Sequence, residues 1–264
     1  MNLLKVEMRR ALHRRLVRWM IVVALFFCGV MGTIAMLSPV DEAHPDEHPG
    51  ILVNWWDAST GEGAILIGAT ALVIGAAICG ASVSGAEWRA GTITTVLTWS
   101  PSRIRLHLAR TASAAILSFL IGLALLVVFM SSALPAMLTH GNTTGGDAQW
   151  WWDMFLVMVR SAAMGSLLAV LACNIATLGR NTTAALIALA VWALFVENLI
   201  RGLKPGLARY LVGENVATVV PWRPLPDVAY PSSAIASLAT LLAYLAIVVG
   251  IAAWSFQHRD VAAT

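Results

Sequence analysis

Six apolar stretches alternate with polar connections along the chain, at about 19–37, 62–85, 108–134, 152–178, 183–200 and 233–256. Each is long enough for a helix to cross roughly 30 Å of hydrocarbon. None carries the ten-residue alternation of a membrane β-barrel, and a helix satisfies its own backbone groups where lipid offers no water. The pattern predicts an all-α polytopic membrane protein built as one transmembrane domain over 1–264. Composition agrees, with 59% hydrophobic residues, 12% charged and a mean hydropathy of +0.77. Soluble domains hold about 45–50% apolar and about 25% charged residues, so a soluble fold is excluded.

The basic residues read as a topology signal. With the N-terminus inside, Lys5, Arg9, Arg10, Arg14, Arg15, Arg18, Arg89, Arg103, Arg105, Arg110, Arg180 and Arg259 fall on the inner side. Only Arg201, Lys204, Arg209 and Arg223 fall outside, all in one loop. This asymmetry predicts both termini inside and removes nucleic acid as an explanation of the net charge of +3. The N-terminal segment reads as retained, because no small-x-small cleavage site follows the first span.

The connections carry their own patterns. In residues 1–18, Leu4, Met8, Leu12 and Leu16 recur every fourth position, with Arg9, Arg10, His13 and Arg14 opposite. That is the pattern of a helix lying along the inner membrane surface. Trp55, Trp56, Trp150, Trp151 and Trp152 fall where an outer aromatic belt is expected. Two rows of small residues, Ala71/Gly75/Cys79 and Ala76/Gly80/Ser84, mark close helix approach in the second span. The outer segment 201–231 is too apolar for a free linker and predicts a hairpin of one or two short helices. Arg160 and Glu197 lie inside spans, about 10 Å and about 6 Å from the outer ends at 1.5 Å per residue. Buried ionisable groups face protein or water, so this pair is a candidate intramembrane ion pair.

The segment 86–103, "AEWRAGTITTVLTWSPSR", is a polar insert on the inner side between the second and third spans. Glu87 and Arg89 continue the second span; Gly91 can release it and Thr92 can cap the next helical segment. "TITTVLTW" is long enough for about two helical turns, Pro101 stops it, and Ser102 can cap the third span. A short helix clamped between two spans suits the transmission of force.

The order Glu87, Arg89, Gly91, Thr92, Val96, Leu97, Pro101, Ser102, Arg103 resembles the membrane subunits of ABC type-2 exporters. The resemblance covers nearly the whole chain, since that family also has an interfacial elbow helix, six spans and a helical outer hairpin before the last. Val96 stands where Leu is usual and Arg110 where a Lys often follows. The resemblance implies that 86–103 is a coupling helix docked on an ATPase subunit. Glu87, Arg89, Gly91 and Thr92 would hold it, Val96, Leu97 and Trp99 would make the contacts, and Arg103 would anchor it. It also implies two ATPase copies binding ATP and Mg, a second permease copy or homologous permease, and a bacterial inner membrane. The expected cargo is a small amphipathic or hydrophobic molecule passing outward.

The chain itself offers no phosphate-binding loop, because its lysines, Lys5 and Lys204, fit no G-x-x-x-x-G-K-[ST] pattern. No residue is expected to be catalytic and no cofactor is expected in this chain. Asp41, Glu42, His44, Asp46, Glu47 and His48 form an acidic loop in which Pro45 and Pro49 prevent helical alignment of the histidines, so no metal site is expected. Cys28, Cys79 and Cys173 all fall in spans, without ligand spacing. "SVSG" at Ser82–Gly85 faintly resembles a rhomboid serine motif without its leading Gly, and the histidines lie outside or at the ends of spans. The competing reading is a stand-alone secondary transporter or channel, which usually places several ionisable groups near mid-membrane.

Overall fold

The computed structural model describes residues 3–38, 50–57, 59–99, 102–139, 141–224 and 231–258, without the side chains of Leu97 and Trp99. The acidic loop, Pro101, Arg259 and residues 225–230 of the outer hairpin lie outside these. Among the described residues there are helices and no strand, with isolated bridges pairing Ile51 with Asn142 and Asp57 with Glu62.

A short helix α1 (Leu3–Leu12) precedes the first long one, α2 (Arg15–Leu37). The chain bends between them because Arg14 is extended, with φ −65° and ψ 132°. After a 3-10 turn at Leu52–Trp55 come α3 (Ile65–Arg89), α4 (Ile93–Trp99), α5 (Arg103–Ser132) and α6 (Leu134–Thr139). Then α7 (Ala148–Gly179) leads into a helix made of α8 (Thr182–Val191), a π-turn (Trp192–Val196) and α9 (Glu197–Leu203). A 3-10 turn (Pro205–Tyr210), α10 (Val212–Val219) and α11 (Ala234–His258) complete the fold. Six of these segments are long and apolar enough to cross a membrane: α2, α3, α5 with α6, α7, α8 with α9, and α11. The protein is a multi-pass membrane protein.

Helix α7 is the axis of the bundle, packed most closely against α3 and α5. The row Ala76/Gly80/Ser84 makes that approach possible. A Cβ on Gly80 would collide with the backbone of Ala169, and the Ser84 and Thr177 hydroxyls share a hydrogen bond of 2.8 Å. The partner of this row is therefore α7 of the same chain.

The two ends of the bundle are called inner and outer after the orientation that the arginines predict, and at the outer end the aromatic expectation is corrected. Trp55, Trp56 and Trp150 are core residues, while Trp151 and Trp152 are exposed. The 3-10 turn folds Trp55 down to Phe129, ring centroids 5.3 Å apart. The Trp150 indole N–H donates to the Trp56 carbonyl at 2.8 Å. The outer hairpin holds short helices, as its composition predicts. Asn215 donates to the Arg209 and Leu211 carbonyls at 3.0 and 2.6 Å, and the Tyr244 hydroxyl ties the Tyr210 carbonyl to α11 at 2.8 Å.

Candidate functional site

The inner end of the bundle combines a helix ending, a short cross-helix and a buried cluster of charge. Helix α3 ends in a Schellman turn. The Thr92 N–H bonds to the Glu87 carbonyl at 3.1 Å and the Gly91 N–H to the Trp88 carbonyl at 3.2 Å. Gly91 takes φ +64°, a conformation cheap only for glycine. The chain then turns into α4, which Ile93 plugs into a cluster with Leu106 and Phe256. Val96, half-buried, also packs toward this cluster. Residues three apart share a helix face, and the exposed face here is Thr92, Thr95 and Thr98. Ile93 was missed because one isoleucine among threonines gives no periodic signal over seven residues.

Ser102 occupies the N-cap position of α5 but makes no side-chain capping bond. The Arg103 guanidinium donates to the Gln257 carbonyl at 3.4 Å, which ties it to the end of α11. Arg89 donates to the Thr183 hydroxyl at 3.0 Å. Next to it, Gly85 lies so close to Thr182 that a Cβ would collide with its backbone. Asn181 caps α8 there, accepting from the Thr183 and Ala184 N–H groups at 2.8 and 3.4 Å. The inner end of α3 is thus braced against the α7–α8 turn.

Glu87 does more than extend α3. Its side chain is buried, and it receives Arg10 Nη2 at 3.1 Å, Arg14 Nη2 at 3.2 Å and Arg110 Nη2 in a close contact. Glu7, also buried, receives Arg10 Nη1 at 2.8 Å and Arg110 Nε at 3.6 Å. Arg14 donates further to the Ser82 and Val83 carbonyls at 2.6 and 2.9 Å. Burial pushes the Arg14 pKa down and the Glu87 charge opposes this; a guanidinium keeps its proton regardless. Five charged groups from α1, the bend, α3 and α5 thus form one lattice. Isolated ions could not be buried this way, since an unpaired buried charge costs several kcal/mol.

This lattice adds a contact to the N-terminal helix that its periodicity does not predict. The face of α1 turned to the bundle carries Glu7, Arg10, Ala11 and then Arg14, at spacings of three and four, while Leu12 and Leu16 are exposed. Both stripes are split: Met8 packs against the cluster of Ala11, Val83 and Leu117 while Leu12 and Leu16 point away, and Arg10 and Arg14 join the lattice while Arg9 and His13 are exposed. Glu7 was overlooked, although a lone acid spaced i, i+3 and i+7 with two arginines is a legible sign of an ion cluster. Arg110 stood out only as a departure from a motif.

The Arg160–Glu197 pair does not form. Glu197 is buried and accepts from the Trp192 indole at 3.0 Å and from the Gly213 N–H at 3.1 Å to both oxygens. A carboxylate is at home on the first turn of a helix, here α10. Arg160 lies over the Trp222 ring, 5.2 Å from its centroid. Depth along a helix carries no information on partners, and it could not show that the first turn of α10 brings the Gly213 N–H to Glu197.

Ser82 donates its hydroxyl to the Cys79 carbonyl at 2.7 Å. His107 lies near the start of α5, buried, with its ring 5.9 Å from that of Phe256. Among the described residues no group of His, Cys, Asp and Glu is arranged to hold a metal. No protein-family model matches the chain, and no curated protein matches it.

Proposed function

We propose that this chain is the membrane subunit of an ATP-driven exporter of the ABC type-2 class. It would move a small amphipathic or hydrophobic molecule, drug, antibiotic or lipid-like, across a bacterial inner membrane. The observation that carries this reading is α4. A two-turn helix is suspended between α3 and α5 at the arginine-rich end of the bundle, fixed by the Gly91 turn and the Ile93 plug. Its polar face, Thr92, Thr95 and Thr98, remains outward.

Such a helix is a lever. A push on the threonine face would reach α3 through the Gly91 turn and α5 through Ile93. The Glu87–Arg110 link makes α3 and α5 respond together, and Arg10 and Arg14 carry the displacement to α1 and α2. With α4 and the termini on the cytoplasmic side, the partner would be a separate ATPase, two copies per pair of membrane subunits, holding ATP and Mg. The chain supplies no phosphate-binding lysine loop of its own.

The test is a mild-detergent pull-down of the tagged protein from its native membrane, with ATPase activity assayed in the eluate. We expect a co-purifying ATPase that is lost on Thr95→Trp, which burdens only an exposed position. Recovery of the ATPase in full with Thr95→Trp moves the docking face elsewhere. Absence of any ATPase after gentle crosslinking overturns the proposal in favour of a stand-alone secondary transporter or channel.

A further inference from the structure

An apolar cavity of about 230 Å³ lies between α2, α3 and α5. Its wall follows α3 from Gly68 to Val83, about 22 Å at 1.5 Å per residue and most of a roughly 30 Å hydrocarbon layer. So small a volume over such a length makes a slot, not a chamber. The second small-residue row forms it: Ala71, Gly75 and Cys79 all line the space. A Cβ added at Gly75 would meet only the Met20 methyl, at 3.5 Å. Val23 and Ala71 line the slot and are also exposed, so it opens sideways between α2 and α3, toward lipid.

The inner end is different. It is walled by Ala11, Val17 and Val83, and Arg14, which lies between the first two in sequence, bonds the Val83 carbonyl. Three guanidiniums there face two carboxylates, so the lattice carries one positive charge in excess. The Arg10 side chain remains 38% exposed. An apolar slot open to hydrocarbon accepts a lipid tail, and a surplus guanidinium accepts an anionic head through charge-assisted hydrogen bonds.

We propose that this slot binds one acyl chain of an anionic amphiphile, with its headgroup held at the inner end by Arg10 and Arg14. The site lies within a single copy of the chain and does not rest on the exporter reading.

Full-length protein in phosphatidylcholine nanodiscs, with and without phosphatidylglycerol or added oleate, tests this by native mass spectrometry and thermal melting. One anionic lipid should remain bound per chain and raise Tm. Whichever additive produces both effects identifies the source as membrane phospholipid or free fatty acid. Gly75→Leu, which fills the slot while improving helix propensity, should abolish retention and the Tm shift, and Ala71→Trp should do so by blocking the mouth. Arg10→Gln should raise the half-saturating concentration about tenfold, as expected for losing a charged hydrogen-bond donor. Equal retention in Gly75→Leu and wild type overturns the proposal, as does equal retention of phosphatidylcholine. Loss of self-association on Gly75→Leu with no change in bound lipid would assign the slot to a second copy and also overturn it.

Discussion

The two ends of the bundle solve the burial of polar groups in different ways. At the inner end Glu7 and Glu87 are neutralised by three arginines drawn from α1, the bend before α2, and α5. At the outer end Glu197 is buried with no ion pair among the described residues, satisfied by an indole N–H and a backbone N–H. Around it the packing is aromatic, with Trp55, Trp56 and Trp150 in the core. The inner end is therefore a network in which each ion depends on several others. The outer end is a set of local fits, each failing alone. A network resists a local change until several contacts yield together, whereas a set of local fits gives way one contact at a time.

The largest expected effect breaks the inner network. Glu87→Ala strands Arg14 and Arg110 in a buried site and should cost about 3–5 kcal/mol, the usual loss when one partner of a buried pair is removed. It would appear as a large fall in Tm in detergent. Because the groups share partners, Glu87→Ala with Arg110→Ala should cost clearly less than the sum of the two single changes. Additive losses would mean that the inner end is no more a network than the outer.

The second effect tests the outer end as a local fit. A Cβ on Gly213 would push the Glu197 carboxylate aside, so Gly213→Ala should cost about 1–3 kcal/mol by parting it from its buried donors. The charge reversal Arg160→Glu with Glu197→Arg should recover nothing beyond the single reversals. Recovery in the double variant would restore a direct pairing that the hydrogen bonds of Glu197 argue against.

How far the sequence revealed these two ends depends on the range of each signal. Six spans, the release of α3 at Gly91 and the close approach at Gly80 depend on composition and on contacts between neighbours along one helix, and periodicity carries them. The lattice at Glu87 unites residues 7, 10, 14, 87 and 110; local spacing joins the first three, and no local pattern joins them to 87 and 110. The tryptophans misled for a related reason. An interfacial Trp and a Trp folded inward by a 3-10 turn occupy the same place in the sequence. The π-turn at Trp192–Val196 leaves no mark in an apolar run, although it places the Trp192 indole on Glu197.

A smaller effect separates packing from hydrogen bonding at the outer end. Trp150→Phe keeps the ring against its neighbours but leaves the Trp56 carbonyl without its 2.8 Å donor. The cost should be about 1–3 kcal/mol, the penalty of a buried acceptor left unmade, measured again as a Tm shift. A change as large as that for Glu87→Ala would make the tryptophan cluster a network in its own right.

The smallest effect concerns pH at the outer surface. Asp57 closes the turn before α3, accepting from the Ser59 N–H at 2.7 Å and the Thr60 hydroxyl at 3.0 Å. Hydrogen bonding from the Ser59 side chain foremost, then from these two groups, holds its carboxyl below the usual carboxylate range. A depressed folded value means that the turn gains stability at any pH above the ordinary Asp value of about 3.9, and loses it as pH falls through the lower folded value. The group is half-buried at the surface, so solvent screening limits the gain to a few tenths of a kcal/mol. Arg223 binds the Ser59 carbonyl of the same turn, and acid should therefore loosen the hairpin at that point without unfolding the bundle. Hydrogen exchange at the Ser59 amide, corrected for its intrinsic pH dependence, should lose protection over that acid range. Asp57→Asn should remove the dependence. Protection that stays constant with pH in the wild-type protein would show that Asp57 contributes nothing to the outer end, leaving its tryptophans and the Glu197 cap to hold it alone.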